Sequence, residues 1–207
     1  MAQRDALIFL GAEAEVTRSA YLGLESVRKR RVPKTYRHKE LDDRIRRERT
    51  RAESQLLVEA NAAGVPVPRV LDVDESTATI ELQAIEGEPL RVVLERGAAN
   101  ALALCRRFGQ IVARLHGAGL VHGDLTTSNV LVSGPGLVLV DFGLAQRSAD
   151  VEDRGVDLHL VERTFESTHP ERPEFHGEFL AGYRASLPES AMVLARTQEI
   201  KERGRYT

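Results

Sequence analysis

The chain has 207 residues, 42% of them hydrophobic and 29% charged, with a formal net charge of −2. That length buries a substantial core but is short for two full-sized domains, so two small lobes fit, and no apolar run approaches the length that crosses a bilayer. A single cysteine, Cys105, excludes an internal disulfide and, by ligand count, structural zinc; it sits in an apolar helical pattern and reads as a buried, inert thiol in a soluble cytoplasmic protein.

Segments 6–10, 14–22 and 24–28 read as three strands with turns at Gly11 and Gly23. The apolar start is followed at once by Glu13 and Glu15, with no small-residue cleavage site, so it reads as a strand and not as a signal peptide. Lys29 closes the third strand. Only four lysines occur, Lys29, Lys34, Lys39 and Lys201, and Lys29 still follows the strand pattern, whereas Lys34 lies beyond Pro33. The near-neutral total hides an asymmetry: positions 28–51 hold twelve Lys or Arg against four Asp or Glu. The second half of this block opens a long helix over 40–63, with Leu41, Ile45, Ala52, Leu56, Leu57 and Ala60 on its apolar face, ended by Gly64 and Pro66. Glu53 lies beside that face; it points inward to Lys29, or else pairs with Arg49 one turn earlier. Strands follow at 69–74 and 77–82, and 83–87 loses periodicity, as a hinge does. The expected division is 1–82, hinge 83–87, and a mostly helical 88–207.

A helix beginning at Glu88-Pro89 and a longer one over 99–118, with Leu102, Phe108, Ile111, Val112 and Leu115 at helical spacing, lead to the stretch around which the chain is organised. Residues 121–143 read VHGDLTTSNVLVSGPGLVLVDFG. Two apolar runs, 130–132 and 137–140, flank Ser133-Gly134-Pro135-Gly136, which predicts a tight hairpin. Its closure brings Asp124 and Asn129 together with Asp141. Mg²⁺ prefers hard oxygen ligands and keeps some water, so Asp141 and the Asn129 amide oxygen suffice to hold it beside nucleotide phosphates. Asp124 is left to orient an attacking hydroxyl or water. His122 is expected to pack or hydrogen-bond in support of the loop. Further helices are expected over 156–165, 175–187 and 189–202. Asp157 either bonds the backbone of the loop at 122–124 or caps its own helix. The chain closes on a basic tail, 201–207.

The order H-x-D-L-x-x-x-N followed by D-F-G resembles the protein-kinase superfamily. The resemblance implies an α+β, bilobal, minimal kinase-like fold that binds ATP and Mg²⁺. In such a fold the Gly11 turn covers the phosphates and Lys29 binds them, with Glu53 holding Lys29. Backbone around Gln83 and Ile85 meets adenine, and Leu82 lines the back of the pocket. No A-P-E follows, and the segment after Gly143 is short, which argues against a peptide-docking platform. Two further runs narrow the match. Lys29-Arg30-Arg31-Val32-Pro33-Lys34-Thr35-Tyr36-Arg37-His38 with Leu41-Asp42, then Arg47-Glu48-Arg49-Thr50-Arg51-Ala52-Glu53, resembles the signature of the small RIO-related kinases of the KEOPS complex. So do Glu162-Arg163, Ser167-Thr168-His169-Pro170 and Arg203-Gly204-Arg205. Arg30 departs from it where an acid is common.

This resemblance implies a weak Ser/Thr protein kinase that acts mainly as an ATPase. Its partners would be the threonylcarbamoyl-transferase subunit and a small helper subunit on the N-terminal lobe, and its product threonylcarbamoyladenosine at position 37 of tRNA. Contact with tRNA through 28–51 and 201–207 is the alternative to a solvated or protein-docking face. A small-molecule phosphotransferase of the aminoglycoside type and a non-enzymatic scaffold are the competing functions.

Overall fold

The computed structural model describes residues 7–11 and 13–204; the end of the basic tail, 205–207, lies outside them. The described residues form two compact units, one of residues up to Glu59 with Pro68–Ile85, the other of Ala60–Val67 with Glu86 onward.

The first unit is an antiparallel sheet with one long helix. Strands β1 (Leu7–Leu10), β2 (Ala14–Tyr21), β3 (Leu24–Arg31), β4 (Val70–Asp74) and β5 (Thr79–Gln83) pair in the order β1-β2-β3-β5-β4, and α1 (Lys39–Ala62) accompanies them. Side chains alternate across a strand, so Lys29 and Arg31, two residues apart, share one face of β3. That face meets α1. The sequence placed Leu41 and Ala52 on the buried side of α1, but both are exposed; Asp42, Thr50, Glu53 and Ser54 are buried with Leu56, Leu57 and Ala60. Polar partners decide which positions turn inward: Glu53 answers Lys29 and Arg31 of β3, while Asp42 answers Arg37 and Arg46.

The second unit contains β6 (Glu88–Pro89), α2 (Leu90–Glu95), α3 (Ala101–Gly117), β7 (Leu120–Val121), β8 (Val130–Ser133), β9 (Gly136–Leu139), β10 (Gln146–Arg147), α4 (Val151–Thr168), α5 (Glu174–Ser186) and α6 (Ser190–Arg203). Glu88-Pro89 is a short strand and not a helix start: it pairs with β8 at the edge of a β6-β8-β9 sheet, where proline's missing N–H is tolerated, and the helix begins at Leu90. Helix α4 begins at Val151, earlier than expected, because Asp150 caps it by accepting from the Glu152 N–H at 2.9 Å. Leu102, expected on the apolar face of α3, is exposed.

The core of this unit is the α3–α5 contact. A Cβ on Gly109 would lie 1.9 Å from the Phe179 oxygen, and one on Gly182 1.9 Å from the Arg106 oxygen. Only glycine permits that approach from both sides. Phe108, Phe175, Phe179 and Tyr183 are all fully buried around it, with the Phe108 and Phe179 ring centroids 4.9 Å apart. Each such ring stabilises the fold by about 3 kcal/mol or more, judged by the cost of truncation to alanine. This packing fixes the platform on which the loop after β7 stands.

Candidate active site

The hairpin β8–β9 turns at Gly134-Pro135, with Ser133 opposite Gly136. Beyond the last strand pair the ladder continues, since the Val140 N–H donates to the Asn129 carbonyl at 3.0 Å. Asn129 and Asp141 are therefore neighbours across the open end of the hairpin. The Asn129 amide donates to the Asp124 carbonyl at 2.9 Å and to its carboxylate at 3.0 Å. This ties Nδ2 to Asp124 and turns Oδ1, the harder donor for a cation, away from it. Asp141 is exposed, and its backbone is in the left-handed region at φ 62°, which aims the carboxylate by a conformation a non-glycine residue rarely takes. Phe142 is buried beside it, edge-on to His122 at 4.9 Å between centroids.

His122 is a loop support. Its Nε2 lies 3.1 Å from the Val140 carbonyl, and its Nδ1 accepts the Asp124 N–H at 3.3 Å. A carbonyl can only accept, so Nε2 carries the proton and both ring nitrogens are engaged. Gly123 follows at φ 78°, where a Cβ would stand 2.3 Å from the Leu144 oxygen. Glycine is required there for both conformation and space.

The sequence left two roles for Asp157, and the geometry assigns the first. Asp157 lies inside α4, 1% exposed. Its Oδ2 accepts the His122 N–H at 2.6 Å, and its Oδ1 the Gly123 N–H at 2.8 Å. The His116 Nε2 lies 3.2 Å from Oδ2, and the His116 Nδ1 2.8 Å from the Tyr183 hydroxyl. The carboxylate accepts only, so the chain runs one way: Tyr183 O–H to His116 Nδ1, then His116 Nε2–H to Asp157. Burial alone would raise the Asp157 carboxyl, but the hydrogen bonds from His116 and from the His122 N–H hold it below the usual range. Burial holds His116 low, against the pull of Asp157, so the ring stays neutral. Burial also pushes the Tyr183 phenol up. Sequence reasoning missed His116 and Tyr183, which lie 41 and 26 positions from Asp157 in sequence; no local pattern marks them.

In the sheet unit, Glu53 is 2% exposed and accepts from Lys29 Nζ at 2.6 Å and from Arg31 at 2.6 Å. Arg49, the alternative partner, bonds Glu13 instead. Arg31, not singled out in the sequence, is thus a second cation on the same carboxylate. The Gly11 N–H closes a turn onto the Ala14 carbonyl at 2.9 Å. Gln83 ends β5 with its N–H donated to the Arg69 carbonyl at 2.8 Å, so that donor is engaged within the sheet. Leu82, paired with Val27, and Ile85 are half-buried.

No group of three or more His, Cys, Asp or Glu among the described residues forms a metal cage. The donors at the hairpin end, one carboxylate and one amide oxygen, fit a hard cation that completes its shell from phosphate and water. The basic block is largely answered within the sheet unit: Arg28 by Glu81, Arg30 by Glu15, Arg46 by Asp42, and Arg51 by Glu75. In the tail, Lys201 bonds Glu162 and Glu166, and Arg203 bonds Glu152. No helix among the described residues is long and apolar enough to cross a membrane.

Comparison with known proteins agrees with this architecture. The chain is 46% identical over 197 residues to a probable bifunctional tRNA threonylcarbamoyladenosine biosynthesis protein of Methanosarcina mazei, a match covering 95% of this chain and 35% of that protein. It thus spans about a third of the length of such archaeal relatives. It is 40% identical over 210 residues to the EKC/KEOPS complex subunit Tp53rkb of Mus musculus, covering 96% of this chain and 86% of that one. Among solved structures, the Rio2 kinase–ADP/Mg²⁺–phosphoaspartate complex of Chaetomium thermophilum matches with a TM-score of 0.65 at 18% identity, over 96% of this chain and 70% of that one, which shows the shared kinase-like fold. The family model of the RIO domain matches residues 16–163, and the chain belongs to the RIO domain family.

Proposed function

We propose that this chain is the ATP-consuming, kinase-fold subunit of a KEOPS-type complex that makes threonylcarbamoyladenosine in tRNA, acting in the cytoplasm as an ATPase with weak Ser/Thr kinase activity. One observation carries the reading: Asp124, Asn129 and Asp141 converge at the end of one hairpin on a loop that Asp157 holds from behind. The names of the relatives, a threonylcarbamoyladenosine biosynthesis protein and a KEOPS subunit, supply the biological setting.

In this reading Lys29 neutralises charge on the ATP phosphates, and Glu53 fixes its position. Asn129 Oδ1 and Asp141 would hold Mg²⁺, which supplies charge neutralisation for the phosphates when bound. Asp124 accepts a hydrogen bond from the attacking water or hydroxyl and orients it; its own position is set by the Asn129 amide. Gly11 covers the phosphates, while Leu82, Gln83 and Ile85 border the adenine. With its N–H engaged, Gln83 offers its carbonyl. The threonylcarbamoyl-transferase subunit is the principal partner and a small helper subunit binds the sheet unit. Transfer RNA meets the exposed cations of 28–51 and the tail 201–207, displacing surface ion pairs that are individually worth little.

The test is to incubate the chain with terminally labelled ATP and Mg²⁺, with and without the transferase subunit and tRNA, using Asp124→Ala as control. Free phosphate that rises with the partner and tRNA, and vanishes in the variant, supports the reading. Stoichiometric transfer of label to a soluble hydroxyl compound without any partner would replace it with a small-molecule phosphotransferase.

A further inference from the structure

The turn after β1 folds back onto the end of β3, where the Val32 N–H donates to the Glu13 carbonyl at 3.1 Å. This draws the Glu13 side chain over a basin between β3 and α1 that is lined by five cations, Arg31, Lys34, Arg37, Arg46 and Arg49. Asp42 engages two of them, Arg46 at 2.9 Å and Arg37 at 3.4 Å. Arg49 holds Glu13 at 2.5 Å, whereas Arg31 stands 3.7 Å from the same oxygen, beyond hydrogen-bond reach. Arg31 is 4% exposed; one end of its guanidinium serves Glu53, and its Nε has no acceptor. A buried guanidinium with an unserved Nε and one end out of reach of Glu13 has donors to offer a further acceptor. The free space beside Glu13 is ≈ 10 Å³, room for about one water. Glu13 therefore occupies the place an anion takes, yet one carboxylate oxygen satisfies only part of the donor set. The Arg49 hydrogen bond, outweighing burial, keeps Glu13 below the usual carboxylate range and hence ionised.

We propose that this basin is a phosphate-binding site with Glu13 as its resident anion. A phosphate dianion, free or carried as a monoester, displaces the Glu13 carboxylate, accepts from the Arg31 and Arg49 guanidiniums and frees Glu13 from Arg49. Phosphate brings more charge and at least three acceptor oxygens to a cluster where a carboxylate brings two, and guanidinium suits it geometrically. Release of Glu13 alters the setting of Gly11 over nucleotide phosphates, a consequence that rests on the reading above; the site itself does not.

The experiment is a titration of the ¹⁵N-labelled chain, without nucleotide, with inorganic phosphate and separately with O-phosphoserine, holding ionic strength constant with chloride. Wild type, Glu13→Gln and Arg49→Gln are compared, with thermal unfolding as a check that each is folded. The amides of Gly11, Glu13 and Val32 are expected to shift. Glu13→Gln should bind roughly ten- to a hundredfold tighter, as removal of one competing charge-assisted bond implies, and Arg49→Gln roughly tenfold weaker or more. Tighter binding of phosphoserine assigns the site to a phosphorylated side chain, and the reverse to free phosphate. Unmoved amides, an unchanged affinity in Glu13→Gln, or full binding by Arg49→Gln would overturn the site. Phosphate binding with ATP affinity unaltered by Glu13→Gln upholds the site and contradicts the assignment of the turn to the nucleotide.

Discussion

Replacing Asp157 by Asn removes a charge while keeping the shape of the side chain, and its effect can be worked out from the hydrogen bonds. Asp157 receives three donors on two oxygens: the His122 and Gly123 N–H groups and His116 Nε2–H. An Asn offers one oxygen and one NH₂. Facing NH₂ toward His116 is tolerable, since the imidazole can shift its proton to Nδ1 and Tyr183 can then accept. Whichever way the amide turns, however, one of the two loop N–H groups meets a donor and loses its acceptor. An unserved buried donor costs about 1–3 kcal/mol, and the remaining bonds lose their charge assistance, so a total of roughly 2–4 kcal/mol is expected. Urea unfolding should show a lower midpoint with an unchanged slope. ATP hydrolysis should fall as well, because the backbone of His122-Gly123 positions Asp124. A loss below about 1 kcal/mol with full activity would refute the assignment of Asp157 as the anchor of the loop.

Other consequences follow from the same geometry. Glu53→Ala leaves Lys29 and Arg31 buried without their shared carboxylate, and should destabilise the chain by about 3–5 kcal/mol in denaturant unfolding. Stability should fall on acidification: folded His116 holds its proton less readily than its ordinary value of 6.5, mainly through burial, so below that pH the unfolded chain binds more protons. Asp157, held below its ordinary 3.8, extends the loss in the same direction at lower pH, and thermal melts from pH 8 to 5 should show Tm declining less steeply in His116→Gln. Burial pushes the Cys105 thiol up to about 12, so thiol reagents at pH 8 should modify it roughly a thousandfold more slowly in the native than in the unfolded chain.

The site was more legible in the sequence than its supports. The motif residues Asp124, Asn129 and Asp141 are close in sequence, and the glycine-proline turn at Gly134-Pro135 dictates how they meet. Lys29 and Glu53 were readable because one follows a strand pattern and the other lies beside a helix face, although β3 runs two residues past Lys29 to Arg31. The helix face itself was misread: Leu41 and Ala52 obey apolar periodicity, yet Glu53 turns inward to Lys29 and Arg31 of the sheet, and Asp42 turns to Arg37 and Arg46. Periodicity ranks residues by hydropathy and carries no information on what the facing strand offers. Arg31 looked like one cation in a basic run, and only the two-residue alternation from Lys29 hints that it turns inward. The Tyr183–His116–Asp157 chain joins three helices distant in sequence, and Asp157 could be suspected only because it sat near a helix start. The short strand at Glu88-Pro89 reads as a helix start because proline suits both; β8 decides between them.

The most direct measurement of the central claim is single-turnover release of labelled phosphate by Asp141→Ala beside wild type, across a Mg²⁺ titration and with matched circular dichroism spectra. Wild-type turnover should saturate with Mg²⁺, and the variant, folded and equally stable, should fall by at least about a hundredfold at every concentration. Normal Mg²⁺-dependent hydrolysis by Asp141→Ala would contradict the central claim and remove the hairpin end as the place where phosphate chemistry occurs.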